Sequence, residues 1–353
     1  MKNLQVCLAV ILAALLLVFA GGCNGPADRV SDAGKVKGGA DAEQAKIKIV
    51  TTLFPQYDFV REIAKDKADV SLLLPPGVEA HAYEPSPRDI VNIQKSDLFI
   101  YTGEYMEPWA HKVIETIKTE SVIVVDASAG IPLVVEEGHS PEHDEDEHHD
   151  EDEHHDEDEH HDEDEHHDED EHHHGEKDPH IWVDPVYAQM MVDNIVAGLV
   201  RADAGNANFY QENGEAYKAK LAALDQKFSE AFRKTKYKKI MYGGHFAFGY
   251  LAKRYGLEYI SPYSGFAPDA EPTPRRIVEL IKNMENSGLK VIYYEELIDP
   301  KVAKVISEQT GAEMLLLHGA HNVTKEELNS GISYLKIMED NLEKLKRGLG
   351  YNE

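Results

Sequence analysis

From residue 46 onward, short apolar runs alternate with segments of helical spacing. Ile47 to Leu53 is rich in β-branched residues and predicts a strand, and Pro55 to Lys65 predicts the helix after it. Val70 to Leu74, Leu98 to Tyr101 and Ser121 to Val125 are further strand candidates, with helical spacing over Pro87 to Lys95 and Trp109 to Lys118 between them. A second series begins after Tyr237. Its strand candidates are Lys239 to Tyr242, Leu257 to Ile260, Lys290 to Tyr294 and Glu313 to Leu317, and its helices Phe246 to Tyr255, Pro274 to Asn286, Pro300 to Gln309 and Ile332 to Leu349. Pro274 and Pro300 stand where a first-turn proline is tolerated, and Gly288 and Gly311 where helices end. Such alternation predicts an α/β fold: two similar lobes, each a parallel four-stranded sheet covered by helices.

Between the two series, Asn206 to Lys234 carries Tyr210, Tyr217, Leu221, Leu224, Phe228 and Phe232 on one stripe, with Lys, Glu and Gln elsewhere. This reads as one long, rigid helix joining the lobes; an ordinary surface helix of either lobe has the same pattern. The organisation expected is a first lobe over 46–205, a linking helix over 206–236 and a second lobe over 237–353.

The first 23 residues add an export signal. Lys2 gives a positive start and Leu4 to Phe19 an apolar core too short for a lasting membrane span. Ala20, Gly21 and Gly22 lead into Cys23, which resembles a bacterial lipobox with Ala20 where leucine is preferred. Cys23 is the lipidation candidate; ordinary cleavage beside an incidental cysteine is the alternative. Only Cys7 and Cys23 exist, and Cys7 leaves with the signal, so no disulfide is expected in the mature chain. Residues 24–45, rich in Gly, Ala, Asp and Lys, read as a flexible tether.

The formal net charge of -29 belongs mostly to one insert. Residues 136–177 hold 24 acids and one base, leaving 41 acids and 35 bases for the remainder. That sign argues against nucleic acid or an anionic membrane surface as partner and favours cations. The insert repeats Asp-Glu-Asp-Glu-His-His five times from Asp144 to His173, with no apolar residue to build a core. Its paired imidazoles, His148 with His149, His154 with His155, His160 with His161, His166 with His167 and His172 with His173, are expected to be weak accessory metal sites. An acidic solubilising loop is the alternative. A chain without fixed geometry cannot select a metal by shape.

Of 19 histidines, six lie outside the insert: His81, His111, His180, His245, His318 and His321. His81 (Gly77-Val-Glu-Ala-His-Ala-Tyr-Glu-Pro-Ser-Pro87), His180 (Asp178-Pro-His-Ile-Trp-Val-Asp-Pro185) and His245 (after Tyr242-Gly-Gly) are expected near the carboxyl ends of strands, where open α/β sheets place ligands. A metal held by these three, two in the first lobe and one in the second, would lie in the cleft. His111, within a helical pattern, reads as surface.

These segments, with Gly244-His-Phe-Ala-Phe-Gly-Tyr-Leu251, resemble the solute-binding proteins of zinc and manganese ABC importers, the cluster A-I metal-binding lipoproteins, and in particular their zinc type with a His-rich loop. The likeness runs from about Ile47 to the last helix, interrupted by the insert, which stands where zinc members carry that loop. The resemblance implies His81, His180 and His245 as metal ligands. It also implies two α/β lobes joined by one long helix, with modest opening. Manganese members typically have glutamate at the third position; His245 favours zinc, because imidazole suits Zn2+ and Mn2+ prefers oxygen. At the fourth position the family often has an acid, whereas this chain has Leu317-His318-Gly-Ala-His321-Asn322. His318, which directly follows the strand, is slightly favoured over His321, and water is a third possibility. Glu84 and Glu295 are the candidate acids to offset the metal's charge.

The implied function is high-affinity binding of Zn2+ as cargo, less so Mn2+, and its delivery to the permease of an ABC importer by a lipid-anchored extracytoplasmic monomer. With two membranes the protein would be periplasmic. A manganese or iron carrier and a surface adhesin are the competing readings. Against a metalloenzyme, no His-Glu-x-x-His helix, nucleophile elbow or phosphate loop appears.

Overall fold

β-branched residues form β1 (Ile47–Thr51), whose last three residues are buried. The computed structural model describes residues 45–117, 121–135, 177–263 and 272–352. The signal segment, Cys23, the tether and the ten paired histidines of the insert lie outside them. α1 (Phe54–Ala64), β2 (Ala68–Leu72), α2 (Pro87–Gln94), β3 (Leu98–Tyr101), α3 (Pro108–Thr116), β4 (Ile123–Asp126) and α4 (Pro185–Ala202) follow. The strands pair in parallel in the order β2-β1-β3-β4. Ser86 starts α2 by accepting from the Asp89 amide while Asp89 accepts from the Ser86 amide at 2.9 Å, and Asp184 starts α4 by accepting from the Val186 amide at 2.8 Å.

α5 (Ala207–Arg233) spans 27 residues, about 40 Å of helix. All six stripe residues are buried. They pack against α1 and α4 of the first lobe and, in the second, against α6 (Gly249–Tyr255) and α10 (Tyr334–Gly348). A helix belonging to one lobe alone would not bury its stripe against both.

The second lobe holds β5 (Lys239–Met241), α6, β6 (Glu258–Ile260), α7 (Pro274–Ser287), β7 (Val291–Tyr294), α8 (Lys301–Thr310), β8 (Glu313–Leu316), α9 (Lys325–Ser330) and α10. β5 pairs with β6 and β7 with β8, both in parallel, and a parallel bridge between Tyr242 and Tyr293 joins the pairs. The order β6-β5-β7-β8 therefore repeats the topology of the first lobe. Gly288 and Gly311 end α7 and α8 at φ 73° and 70°, as the sequence suggests. Pro274 opens α7, but Pro300 stands one place earlier than expected, as the cap before α8.

The main core cluster runs through both lobes, from Ile49 and Phe59 through Tyr217 and Phe228 to Tyr242 and Leu345, with a smaller cluster in each lobe beside it. α10 crosses back onto the first lobe. Tyr334 packs edge-on against Phe59 with ring centres 4.9 Å apart, and its amide donates to Asp58 at 2.9 Å. Burial pushes the Asp58 carboxyl up to about 6, against the opposing effect of that amide. So much shared apolar surface resists wide separation of the lobes.

Candidate metal centre

Four loops deliver four imidazoles to one point. His81 lies beyond β2, His180 just ahead of a 3-10 turn (Ile181–Val183) that leads into α4, His245 beyond β5 and His321 beyond β8. Their metal-binding atoms all lie within 4.8 Å of one another. Nε2 of His180 is 3.2 Å from Nε2 of His81 and 3.4 Å from Nε2 of His245. Nitrogens arranged tetrahedrally around Zn2+ at about 2.0–2.1 Å stand about 3.3 Å apart, so these two spacings are those of a zinc shell. His180, His245 and His321 are buried and His81 is partly exposed.

Three of the rings are held from behind by carboxylates. Asp178 Oδ1 lies 2.8 Å from His180 Nδ1 and also accepts from the His180 amide. Glu295 contacts His245 Nδ1, and Glu296 Oε1 lies 3.1 Å from His321 Nδ1. With Nδ1–H donated to a carboxylate, a neutral imidazole turns the Nε2 lone pair outward, which is the form a metal needs. His81 is fixed through its backbone instead: Glu79 accepts from the amides of His81 and Ala82 at 2.9 and 2.8 Å. Trp182, fully buried, packs on His180 and His321 with ring centres 5.4 and 5.3 Å away.

Burial, and then the neighbouring histidines, lower the pKa of His81 to about 2 and hold that of His180 well below its usual value. Burial also opposes protonation of His245, but the hydrogen bond and charge of Glu295, with Glu296 and Glu79, outweigh it and raise its pKa. Burial alone would raise Glu296; His318, His321 and the Gly319 amide overcome it and keep the carboxyl well below the usual range.

The segment after β8 is gripped by the first lobe. Trp182 Nε1 donates to Gly319 O at 2.7 Å, the Phe54 amide to His321 O at 3.1 Å and the Gly77 amide to Val323 O at 2.9 Å. The buried Asn322 side chain donates to Pro75 O at 2.7 Å and Val78 O at 2.9 Å, tying down the loop that carries His81.

His81, His180 and His245 thus meet as the sequence suggests, and His321 joins them. His318, the slightly favoured fourth residue, is not in the group. Its Nδ1 accepts from the Ala320 amide at 2.9 Å. The intervening residues turn through a left-handed backbone at Ala320, φ 58°, a conformation sequence spacing does not reveal. His180 follows no strand directly; the insert separates it from β4, and Val135 and Lys177 pair across the insert's two ends. His111 is exposed on α3 beside Glu115. Glu84 is exposed, whereas Glu295 reaches the cluster. Sequence reasoning missed Asp178, Glu296 and Asn322. The signals available were an acid two residues before His180 and a pair of acids directly ending a strand.

Among known proteins, the chain is 40% identical over 342 residues to the high-affinity zinc uptake system protein ZnuA of Bacillus subtilis, covering 97% of each. It is 35% identical over 303 residues to the zinc-binding protein AdcA of Streptococcus pyogenes, covering 86% of this chain and 56% of that longer relative. The Zn(II)-bound ZnuA-like domain of Streptococcus pneumoniae AdcA superposes with a TM-score of 0.68 at 31% identity, covering 86% of this chain and 99% of that one. No helix among the described residues is long and apolar enough to cross a membrane. The family model described as zinc-uptake complex component A, periplasmic, matches residues 49–348, and the chain belongs to that family.

Proposed function

We propose that the protein captures Zn2+ outside the cytoplasm through His81, His180, His245 and His321 and delivers it to the permease of an ABC importer. The convergence of four imidazoles, three of them backed by carboxylates, is the observation that carries this reading. An all-nitrogen set of four donors suits Zn2+ and disfavours Mn2+, which prefers oxygen. Four protein ligands leave no position for an activated water, so the site is a carrier's rather than a hydrolase's. His321 is the fourth ligand. His318 stands outside the cluster, with its Nδ1 taken up by the Ala320 amide.

In this reading Cys23 carries the lipid that holds a monomer at the membrane, and the repeats between Asp144 and His173 collect metal weakly. Release requires loosening the grip of the first lobe on the 319–323 segment, which docking on the permease would supply.

Zinc titration against a competing chelator tests the reading, run on the full chain and on a variant lacking residues 142–174. One tight site should persist in both, with the weak sites lost from the deletion, and His180→Ala should abolish the tight one. Loss of the tight site on deleting the insert, or its survival in His180→Ala, would reverse the assignment.

A further inference from the structure

Consecutive glutamates leave the carboxyl end of β7 and reach two different imidazoles. Glu295 contacts His245 Nδ1 and accepts from the His245 amide at 3.2 Å. Glu296 accepts from the Gly319 amide at 2.7 Å and from His321 Nδ1 at 3.1 Å, while its Oε1 stands 3.5 Å from His318 Nδ1. Their side chains are only 10% and 7% exposed. Two glycines leave the room for this. A Cβ on Gly244 would collide with Glu295 Oε1, and one on Gly319 would lie 2.6 Å from His321 Nδ1 and 3.2 Å from Glu296 Oε1. The next residue, Leu297, holds a left-handed backbone, φ 63°, which leucine adopts where its surroundings impose it.

We propose that Glu295 and Glu296 are positioning residues for the zinc site, each aiming one imidazole's Nε2 at the metal, and that Glu296 selects His321 over His318 as the fourth ligand. This rests on the four-histidine reading above. Two histidines three residues apart compete for one carboxylate. The one that donates to it, His321, turns Nε2 into the cluster, and His318, whose Nδ1 meets the Ala320 amide, stands outside it. The glutamates also meet a charge requirement. Four neutral imidazoles leave Zn2+ with its full charge in a buried place, which is costly unless anions stand near. Asp178, Glu295 and Glu296 supply them one bond network behind the ligands, so the metal contacts nitrogen only.

The test substitutes Glu296 by Gln (same shape, no charge), Ala (neither) and Asp (charge, shorter reach), and Glu295 by Gln. Zinc affinity is read by chelator competition, the coordination geometry from the visible spectrum of the Co2+ form, and the fold of the metal-free protein by circular dichroism. Glu296→Gln and Glu295→Gln should each weaken zinc by about 10- to 100-fold. Glu296→Ala should weaken it further and alter the Co2+ bands as His321 swings free, and Glu296→Asp should recover part of the loss. Folded variants that bind zinc within about twofold of the parent, with an unchanged Co2+ spectrum, would overturn the proposal while leaving the zinc reading intact. A parent without a tight site overturns both.

Discussion

Asn322→Ala removes the side chain that ties the His81 loop to the second lobe. Two donated hydrogen bonds disappear, at 2.7 and 2.9 Å, and with them the one its Oδ1 accepts from the Val323 amide at 2.9 Å, all from a residue that is fully buried. A hydrogen bond of this kind contributes about 0.5–1.5 kcal/mol and Pro75 O keeps the Val78 amide at 3.1 Å, so losing the side chain's bonds should destabilise the metal-free protein by about 2–4 kcal/mol. Zinc binding should weaken for a second reason. The loop must be in place before His81 can act as a ligand, and the apparent affinity falls in proportion to the fraction of molecules in which it is. The Gly77 amide still donates to Val323 O, so the loop retains one tie. If about 1.4 kcal/mol of the loss falls on the loop, affinity drops about tenfold. Urea unfolding measures the first effect, and release of zinc into excess chelator the second. Asn322→Asp, which lacks the donors and sets a carboxylate oxygen against the two carbonyls in a buried place, should cost at least as much. A protein destabilised as expected but releasing zinc at the parent's rate would refute the idea that this tie positions His81.

Protons compete with zinc for His245, whose pKa is raised above the usual imidazole value, so affinity should fall about tenfold per pH unit below that pKa as one proton must leave on binding; a flat affinity between about pH 5.5 and 8 contradicts this. Glu107 is buried and, despite amide donors, pushed up to about 8; the folded state therefore keeps a proton that the unfolded chain loses near 4.5, and stability is lost as pH rises between the two. Glu107→Gln mimics the protonated acid toward Thr52 and the Thr102 amide, so its melting temperature should match the parent's in acid and exceed it above pH 8. His321→Ala should weaken zinc by more than about 100-fold and His318→Ala by less than about tenfold, read by the same competition assay; the reverse order would make His318 the ligand.

Strand and helix existence was legible because the apolar runs are short and the helical stripes long. β3 has its expected bounds, and α5 differs by one residue at each end. α9 escaped notice because Leu328 is the one apolar residue among its six, too few for a stripe, and a capping box between Thr324 and Glu327 starts it. Three members of the imidazole cluster were legible because each stands in a distinctive local context. The fourth was not, because what separates His321 from His318 lies outside that context: the backbone turn at Ala320 and, in the proposal above, Glu296, 25 residues before His321. Long-range partners of that kind leave no periodicity to read. The grip of the first lobe on residues 319–323 is hidden for the same reason: Asn322 meets Pro75 across 247 positions.

X-ray absorption at the zinc edge tests the central claim most directly, on protein lacking residues 142–174 and loaded with one equivalent of metal. The account requires a single shell of four imidazole nitrogens at about 2.0–2.1 Å. An oxygen donor in that shell, or an unchanged spectrum in His321→Ala, would contradict it.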